Sequence, residues 1–368
     1  AREALALAGR QAAADLHGKG KSVEGRDACA AIVEEFADTP AGRNAAALAV
    51  NAQLQIWQAL PMQSDEEKAA KEKAADRVYE MAKFVNDKWP GTPQADDANL
   101  STGQMLLFMQ KIPESLKVFD AVTDRSEKYS LARYLGARAL RIEEILEAQK
   151  PQPDAKKIEN NRVEALKRAE EAAQLFRKTA EAGKPLYKEH FEAELLLAEL
   201  SLDTSKAKEA AALFAPLVQQ VKDSRPENLD PLTLRVFFGA AKAYLAVGDV
   251  AKATDVGMIL AELGADSPPI NLLLLNFVRV LDGELQKAEA AVIKATESND
   301  RDQLQKAVAA RTATQDTIGK LLKKLAERKQ MSVPQVIYIA DKCADVGLTE
   351  EATKLNQTVI DKAEQDGD

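Results

Sequence analysis

The sequence predicts an all-α fold, and three observations support this prediction. Aromatic residues make up only 5% of the 368 residues, and the chain has 17 glycines and 14 prolines. Such a composition, rich in alanine and leucine, favours helices over β structure with its many turns. Apolar residues recur with helical periodicity almost throughout, in segments of about 12 to 28 residues. Short polar breakers separate these segments, so about seventeen helices are expected.

The predicted boundaries carry recognisable helix-start signals. Ser64 with Glu67, and Ser332 with Gln335, have the spacing of a capping box. Thr39-Pro40 and Thr92-Pro93 each place a capping side chain before a proline in the first helical turn. The predicted breakers are residues 17–22, 37–42, 60–64, 89–93, 150–154, 182–185, 224–231, 247–249, 264–269, 281–283, 298–300 and 330–334.

The overall charge and hydropathy exclude several classes of function. A net charge of −8 provides no electrostatic footprint for nucleic acid or for an anionic membrane. No apolar run reaches the ~20 residues that a membrane-spanning helix needs. The two cysteines, Cys29 and Cys343, lie in alanine-rich apolar contexts and are expected to be buried free thiols.

A short pattern repeats along the chain. In the stretch FFGAAKAYLAVGDVAKATDV, Ala241 and Ala253 flank Gly248. The same spacing recurs 35 residues later, with Gly283 and Ala288, and again near the end, with Gly347 and Ala352. Small residues twelve positions apart allow two helices to approach closely, and a glycine lets the chain turn with positive φ between them.

Two earlier segments show the spacing without the glycine. Ala198 and Ala210 are twelve residues apart and Phe214 follows four later; Gly103, Ser115 and Phe119 have the same arrangement. The aromatic residue lies on the same helix face as the second small residue, so it is expected to fill the space against the next hairpin.

This pattern resembles the tetratricopeptide repeat (TPR), in degenerate form. The match is strongest over 232–297 and fair over 95–123, 186–220 and 332–365, although no repeat has the family's tryptophan. The resemblance implies a right-handed α-α superhelix, a TPR-like solenoid of about seven to eight helical hairpins. It is expected to span residues 1–368 as a single solenoid, with a possible subdivision into 1–150 and 151–368.

A second internal similarity supports repetition. Residues 34–46 align with residues 87–99 at an offset of 53, with an aromatic residue ahead of Thr-Pro and then a new helix in both. The segment looks like a junction found in TPR proteins of bacterial envelopes. This resemblance favours a bacterial protein outside the cytoplasm. The compartment stays open between the periplasm or envelope and the cytoplasm, with any targeting segment lying outside this sequence.

Motifs for catalysis are not evident. His17 and His190 are far apart and have no histidine or cysteine at metal-ligand spacing, so no metal or cofactor is expected. The sequence HGKGKS at 17–22 lacks the first glycine of a phosphate loop and follows a helix rather than a strand, so it predicts a basic loop between helices. We expect no enzyme, although an unrecognised active site assembled from distant helices stays open.

The predicted function is a protein–protein interaction scaffold. In a TPR solenoid the first helix of each hairpin lines the concave face, which binds a peptide or helix of another protein. The candidate partner-binding residues are Leu100, Gln104, Leu107, Leu195, Glu199, Leu202, Phe238, Lys242, Leu245, Ile270, Leu273 and Phe277. The lysine–asparagine clamp with which some TPR domains hold the carboxylates of chaperone C-termini is not present at these positions, so no such partner is expected.

Two questions stay open from the sequence. The alternative function is a solenoid that binds a small ligand or a glycan or peptide fragment of the cell envelope. The polar segment 301–329 is either an inserted helix that covers the apolar segment around Leu273 and Phe277, or the second helix of an enlarged hairpin that begins at 268.

Overall fold

A computed structural model describes residues 1–181, 188–224, 230–263, 266–298 and 300–366. Over these residues the chain forms sixteen helices and no strand, so the predicted all-α class is confirmed. The helices are α1 (Arg2–Gly18), α2 (Ser22–Phe36), α3 (Pro40–Ala59), α4 (Asp65–Lys88), α5 (Pro93–Phe108), α6 (Ile112–Asp120), α7 (Tyr129–Ala148), α8 (Ala155–Glu181), α9 (Lys188–Asp203), α10 (Ala207–Ser224), α11 (Pro231–Ala246), α12 (Val250–Leu263), α13 (Pro268–Glu297), α14 (Arg301–Ala326), α15 (Val333–Asp345) and α16 (Thr349–Asp366). The predicted breaker at 182–185 lies outside the described residues, as do residues 225–229, 264–265 and 299 of three other predicted breakers.

The chain divides into two compact units, Ala1–Leu200 and Ser201–Asp368. In unit 1 the helices pair as α1–α2, α3–α4, α5–α6 and α7–α8, and the first helices α1, α3, α5 and α7 pack in succession. In unit 2 the pairs are α11–α12, α13–α14 and α15–α16. The subdivision at residue 150 stays a prediction about domains.

Five of the helix-to-helix turns share one geometry. The residues Gly20, Gln110, Ser205, Gly248 and Gly347 all have positive φ, between 58° and 82°. In the turn after α11, the Gly248 N–H donates to Leu245 O at 3.0 Å and the Asp249 N–H donates to Tyr244 O at 2.8 Å. The other four turns make the same two backbone bonds, which satisfy carbonyl groups at the end of the first helix.

Small residues occupy equivalent places on both sides of each of these turns. Counting from the residue with positive φ, the position seven before and the position five after it are Ala13 and Gly25, Gly103 and Ser115, Ala198 and Ala210, Ala241 and Ala253, and Ala340 and Ala352. All ten are buried. In the α1–α2 hairpin, a β-carbon added to Gly25 would lie 3.1 Å from Ala13 O, so the two helices are in close contact there. The TPR-like hairpin is therefore confirmed, and the α1–α2 pair is a further copy.

The aromatic residue of the repeat fills the space that a glycine leaves open. A β-carbon on Gly103 would come closer than 3.0 Å to the ring of Phe119, within the α5–α6 hairpin. A β-carbon on Gly239 would meet the ring of Phe214 equally closely, so Phe214 of α10 packs against the following first helix, α11. This second contact is the packing against the next hairpin that the sequence predicts.

The predicted turn at residues 281–283 is wrong. Gly283 lies in the interior of α13, a continuous helix of 30 residues. Gly248 is followed by Asp249, whose carboxylate accepts from the Lys252 N–H and caps the next helix; Gly283 has no such cap after it. A glycine alone costs a helix only about 1 kcal/mol, so α13 continues. Its partner α14 begins at Arg301 and is the second helix of an enlarged hairpin.

The predicted helix starts are confirmed. Ser64 and Ser332 form capping boxes with Glu67 and Gln335. The side chain of Thr39 accepts from the Gly42 N–H at the start of α3, and Thr92 accepts from Ala95 N–H at the start of α5.

The two cysteines are buried and unreactive. Cys29 and Cys343 are buried free thiols, as predicted. Burial raises the pKa of each thiol to about 11, so neither is a reactive thiolate at neutral pH. In the part of the chain that the structure describes, no helix is both long and apolar enough to cross a bilayer.

Candidate functional site

The unburied faces of α3 and α5 carry a row of amide and hydroxyl side chains. On α3 the residues at helical spacing that escape full burial are Asn44, Leu48, Asn51 and Gln55. Their counterparts 53 residues later on α5 are Asp97, Ser101, Gln104 and Phe108, and of these four only Ser101 is buried. We define the amide face as Asn44, Asn51 and Gln55 of α3 together with Gln94, Asp97, Ser101 and Gln104 of α5. Because α3 and α5 are consecutive first helices that pack together, these side chains form one surface in unit 1.

Hydrogen bonds between the two helices fix the amide face. Gln94 Nε2 donates to Asn44 Oδ1 at 2.6 Å. One to two turns further along, Ser101 Oγ donates to Asn51 Oδ1. At the far end Ser22 Oγ of α2 donates to Gln55 Oε1 at 3.2 Å. The amide groups of Asn44, Asn51, Gln55 and Gln94 are thereby oriented before any ligand arrives.

Asp97 is the acidic member of the amide face. Its side chain is half-buried, and burial raises the pKa of this carboxyl above its ordinary value, with a further increase from the neighbouring Asp96. Lys128 opposes the increase but does not cancel it. A carboxylate that is poorly solvated gains from a cation that approaches it, so Asp97 favours a basic group on a bound partner.

The internal repeat gives α3 and α5 equivalent positions along the chain. Thr39-Pro40 and Thr92-Pro93 start α3 and α5 at equivalent points, 53 residues apart. At this offset Asn51 corresponds to Gln104. Gln104 is among the residues predicted from the sequence and Asn51 is not, because only the segments that match the TPR spacing predict first-helix positions. The same offset of 53, applied to α3, would have identified it.

Three of the unit 1 residues that the sequence predicts to bind a partner are buried, unlike most residues of the amide face. Leu100, Leu107 and Leu195 are buried, with exposed fractions of 8%, 9% and 0%. Their side chains pack within the helical layers, because apolar groups gain more from burial against neighbouring helices than from exposure. Gln104 is exposed and Glu199 is half-buried, and for both a partner-binding role stays a prediction.

In unit 2 the predicted residues of α11 share one accessible face. Phe238 and Leu245 are half-buried and Lys242 between them is exposed. On α13, Ile270 and Phe277 are buried, and the Phe277 ring packs 3.4 Å from the position that a β-carbon on Gly257 would take. Leu273 is half-buried, as is Leu202 at the end of α9, and for these accessible residues partner binding also stays a prediction.

The histidines have structural environments. His190 stacks on Phe176 with ring centroids 5.7 Å apart, which joins α9 to α8. His17 lies in the last turn of α1, and the 17–22 segment forms the α1–α2 turn around Gly20, as its interpretation as a loop between helices predicts. Among the described residues, no group of three or more histidine, cysteine or acidic side chains could hold a metal ion.

Comparisons with known proteins give only distant structural resemblances. No protein-family model and no curated protein matches the sequence. Among solved structures, the apo form of RapI is 12% identical, with 99% of each chain covered and a TM-score of 0.47. A tetratricopeptide repeat protein from Parabacteroides merdae is 10% identical, with 86% of this chain and 96% of that chain covered and a TM-score of 0.40. The Rap conjugation gene regulator of plasmid pLS20, in complex with the Phr* peptide, is 13% identical, with 98% and 97% covered and a TM-score of 0.34. At these values the resemblances carry no conclusion about the function of this chain.

Proposed function

We propose that this protein is a non-enzymatic scaffold that holds a segment of another polypeptide on the amide face of α3 and α5. The observation that supports this most directly is the row of oriented carboxamide and hydroxyl groups on two adjacent first helices. A polypeptide backbone presents donors and acceptors in alternation, and a carboxamide offers both.

The interhelix bonds leave part of this capacity for a partner. In the pair of Gln94 and Asn44, one amide donor and one carbonyl oxygen are engaged with each other. A carboxamide has two donors and an oxygen with two lone pairs, so further bonds to a bound backbone are available. Since the side chains are already oriented, binding costs less conformational entropy than it would with free rotamers.

The accessible face of α11 in unit 2 is a second surface for the same function. Phe238 and Leu245 offer apolar area, and Lys242 between them offers a cation. A surface of this kind suits an apolar segment that carries an acidic residue. It differs in chemistry from the amide face, so we propose that the two surfaces hold different segments of a partner or different partners.

A selection from a displayed library of random peptides tests the proposal. Peptides enriched on the native protein are synthesised, and their dissociation constants are measured by calorimetry. With Asn51→Ala and Gln104→Ala combined, we expect affinity to fall about tenfold or more, since each lost hydrogen bond contributes about 0.5–1.5 kcal/mol.

The matched control replaces exposed residues on the second helix α4. Lys83 and Asp87 form an ion pair there on the protein surface, and their combined replacement by alanine is expected to leave peptide affinity unchanged. Failure to enrich any peptide would contradict the proposal. Peptides whose affinity responds to the α4 changes and not to Asn51 and Gln104 would also contradict it.

A further inference from the structure

A cavity of about 360 Å³ opens in unit 1 where α3 ends, α4 begins and α5 ends. Its lining includes Trp57, Met62, Lys68, Lys71, Glu72 and Phe108. The volume falls within the range of pockets that bind small molecules. It differs in chemistry from the amide face, because two aromatic rings, two lysines and one carboxylate, that of Glu72, line it.

A buried lysine lies at this cavity without a counter-ion. Lys71 is only 8% exposed, and its ammonium donates to Leu60 O at 2.8 Å. Among the described residues Lys71 forms no salt bridge, whereas Lys68, which also lines the cavity, pairs with Asp65 at 2.9 Å. Burying an ammonium group without an opposite charge is unfavourable, so the site gains stability from an anion that pairs with Lys71.

Aromatic rings form the walls around Lys71. Its Nζ lies 5.1 Å from the centroid of the Trp57 ring and 5.8 Å from that of Phe108. The two rings meet edge to face, with centroids 5.3 Å apart and an interplanar angle of 88°. Phe108 is 69% exposed, an unusual exposure for a phenylalanine, and it lines the opening of the cavity.

Trp57 supplies a second unused donor. Its side chain is only 2% exposed, and its Nε1 has no hydrogen-bond partner among the described residues. A buried N–H without a partner costs about 1–3 kcal/mol, and such a group invites an acceptor from a ligand. The cavity thus combines a buried cation with an apolar wall, and Trp57 in that wall has a buried N–H without a partner.

The chain contains a comparison site with the same side chains. Trp89 and Phe84 also meet edge to face, at 5.8 Å and 87°, and Lys88 lies 5.2 Å and 5.4 Å from the Phe84 and Trp89 centroids. There, however, the lysine is exposed to solvent. A lysine beside an aromatic pair is therefore found at both sites. What distinguishes the first site is that Lys71 is buried and that a cavity lies beside it.

We propose that this cavity binds an organic acid, with its carboxylate at Lys71 and its aromatic or branched apolar body against Phe108 and Trp57. The acceptor oxygens of the carboxylate suit the ammonium group of Lys71. A free small acid and the C-terminal residue of a peptide share this chemistry. The inference does not depend on the amide face, because none of its residues lines the cavity.

Tryptophan fluorescence tests the proposal. The chain has two tryptophans, so Trp89→Phe leaves Trp57 as the reporter. This variant is titrated with 3-phenylpropionate, with its neutral amide and with N-acetylglycylphenylalanine. We expect saturable binding of at least one acid with about tenfold preference over the amide, as a charge-assisted bond gives. The stronger of the two acids identifies the source of the carboxylate.

Three single substitutions test which residues cause the preference for the acid over its amide. Lys71→Met is expected to abolish the preference for the acid, and Lys88→Met at the comparison site is expected to leave it unchanged. Phe108→Ala, at an exposed position that tolerates truncation, is expected to weaken acid and amide alike. Equal binding of acid and amide, or no saturation at millimolar concentrations, overturns the proposal even if Lys71→Met does not fold.

Discussion

The ring of Phe214 occupies the place that a side chain on Gly239 would need. A β-carbon there would lie closer than 3.0 Å to two atoms, Cζ and Cε1, of a ring that is itself fully buried. Neither partner has room to move, because interiors are close-packed. The contact couples α10 to α11 in unit 2, and its energetic weight can be measured.

Gly239→Ala is expected to lower the free energy of unfolding by about 1–3 kcal/mol, the usual cost of overpacking. Urea denaturation followed by circular dichroism measures it. The control is Gly319→Ala in α14, where nothing lies within 4 Å of the new β-carbon. That control is expected to stabilise by up to about 1 kcal/mol. Equal effects of the two substitutions would contradict the packing argument.

Ser205→Gly is expected to stabilise the protein. Ser205 adopts a φ of 61°, which is unfavourable for a residue with a side chain. Relief of this strain is expected to raise the free energy of unfolding by about 0.5–1 kcal/mol after the entropic cost of glycine is counted. The reverse change, Gly347→Ser in the equivalent turn, is expected to destabilise. The melting temperatures of the two variants check this. If they do not shift in opposite directions, the two turns do not share one backbone geometry.

Gly283→Ala tests the continuity of α13. In a helix interior, alanine is favoured over glycine by about 0.5–1 kcal/mol, and nothing lies within 4 Å of the added β-carbon. We therefore expect a higher midpoint of urea denaturation. Destabilisation, the outcome expected for Gly248→Ala at its positive φ, would instead indicate a turn at this point.

Asp97→Asn is expected to stabilise the protein at neutral pH. Burial raises the pKa of Asp97, so the folded state holds this proton more tightly than the unfolded state does. Its contribution to stability is therefore greatest in acid and falls as the pH rises through the raised pKa. The gain from asparagine should be present near pH 7 and shrink near pH 4. Asp76→Asn on the exposed surface of α4 is the control, and an equal gain there would remove the assignment to burial.

The sequence predicts the hairpins well where glycine marks the turn, as at Gly248 and Gly347, because few other residues adopt positive φ without strain. It could not reveal that Gln110 and Ser205 take the same conformation, since nothing in these side chains favours it. At Gly283 the error is the reverse: the glycine predicts a turn, but the helix continues. A glycine ends a helix only when the tertiary contacts and a following cap also favour the turn.

The binding face was harder to predict than the fold. Leu100 and Leu107 lie on α5 close to Gln104 in sequence, yet they are buried, and Asp97 and Phe108 are accessible instead. The helices that pack around a first helix decide which of its faces is accessible; for α5 these are α3, α4, α6 and α7. Periodicity within one helix cannot supply this information, whereas the repeat offset between α3 and α5 partly does.

The outer half of the α13–α14 hairpin has few buried side chains. Beyond Leu281, Ala295 is the only buried residue of α13, and no residue of α14 before Ile318 is buried. The base, by contrast, holds Phe277 and Leu321 in the core of unit 2. Deleting matched turns from the two helices near 290 and 308 removes no core side chain. The length of this hairpin is thus free to change without cost to the packing that folds unit 2, and it offers a position for inserting a reporter sequence.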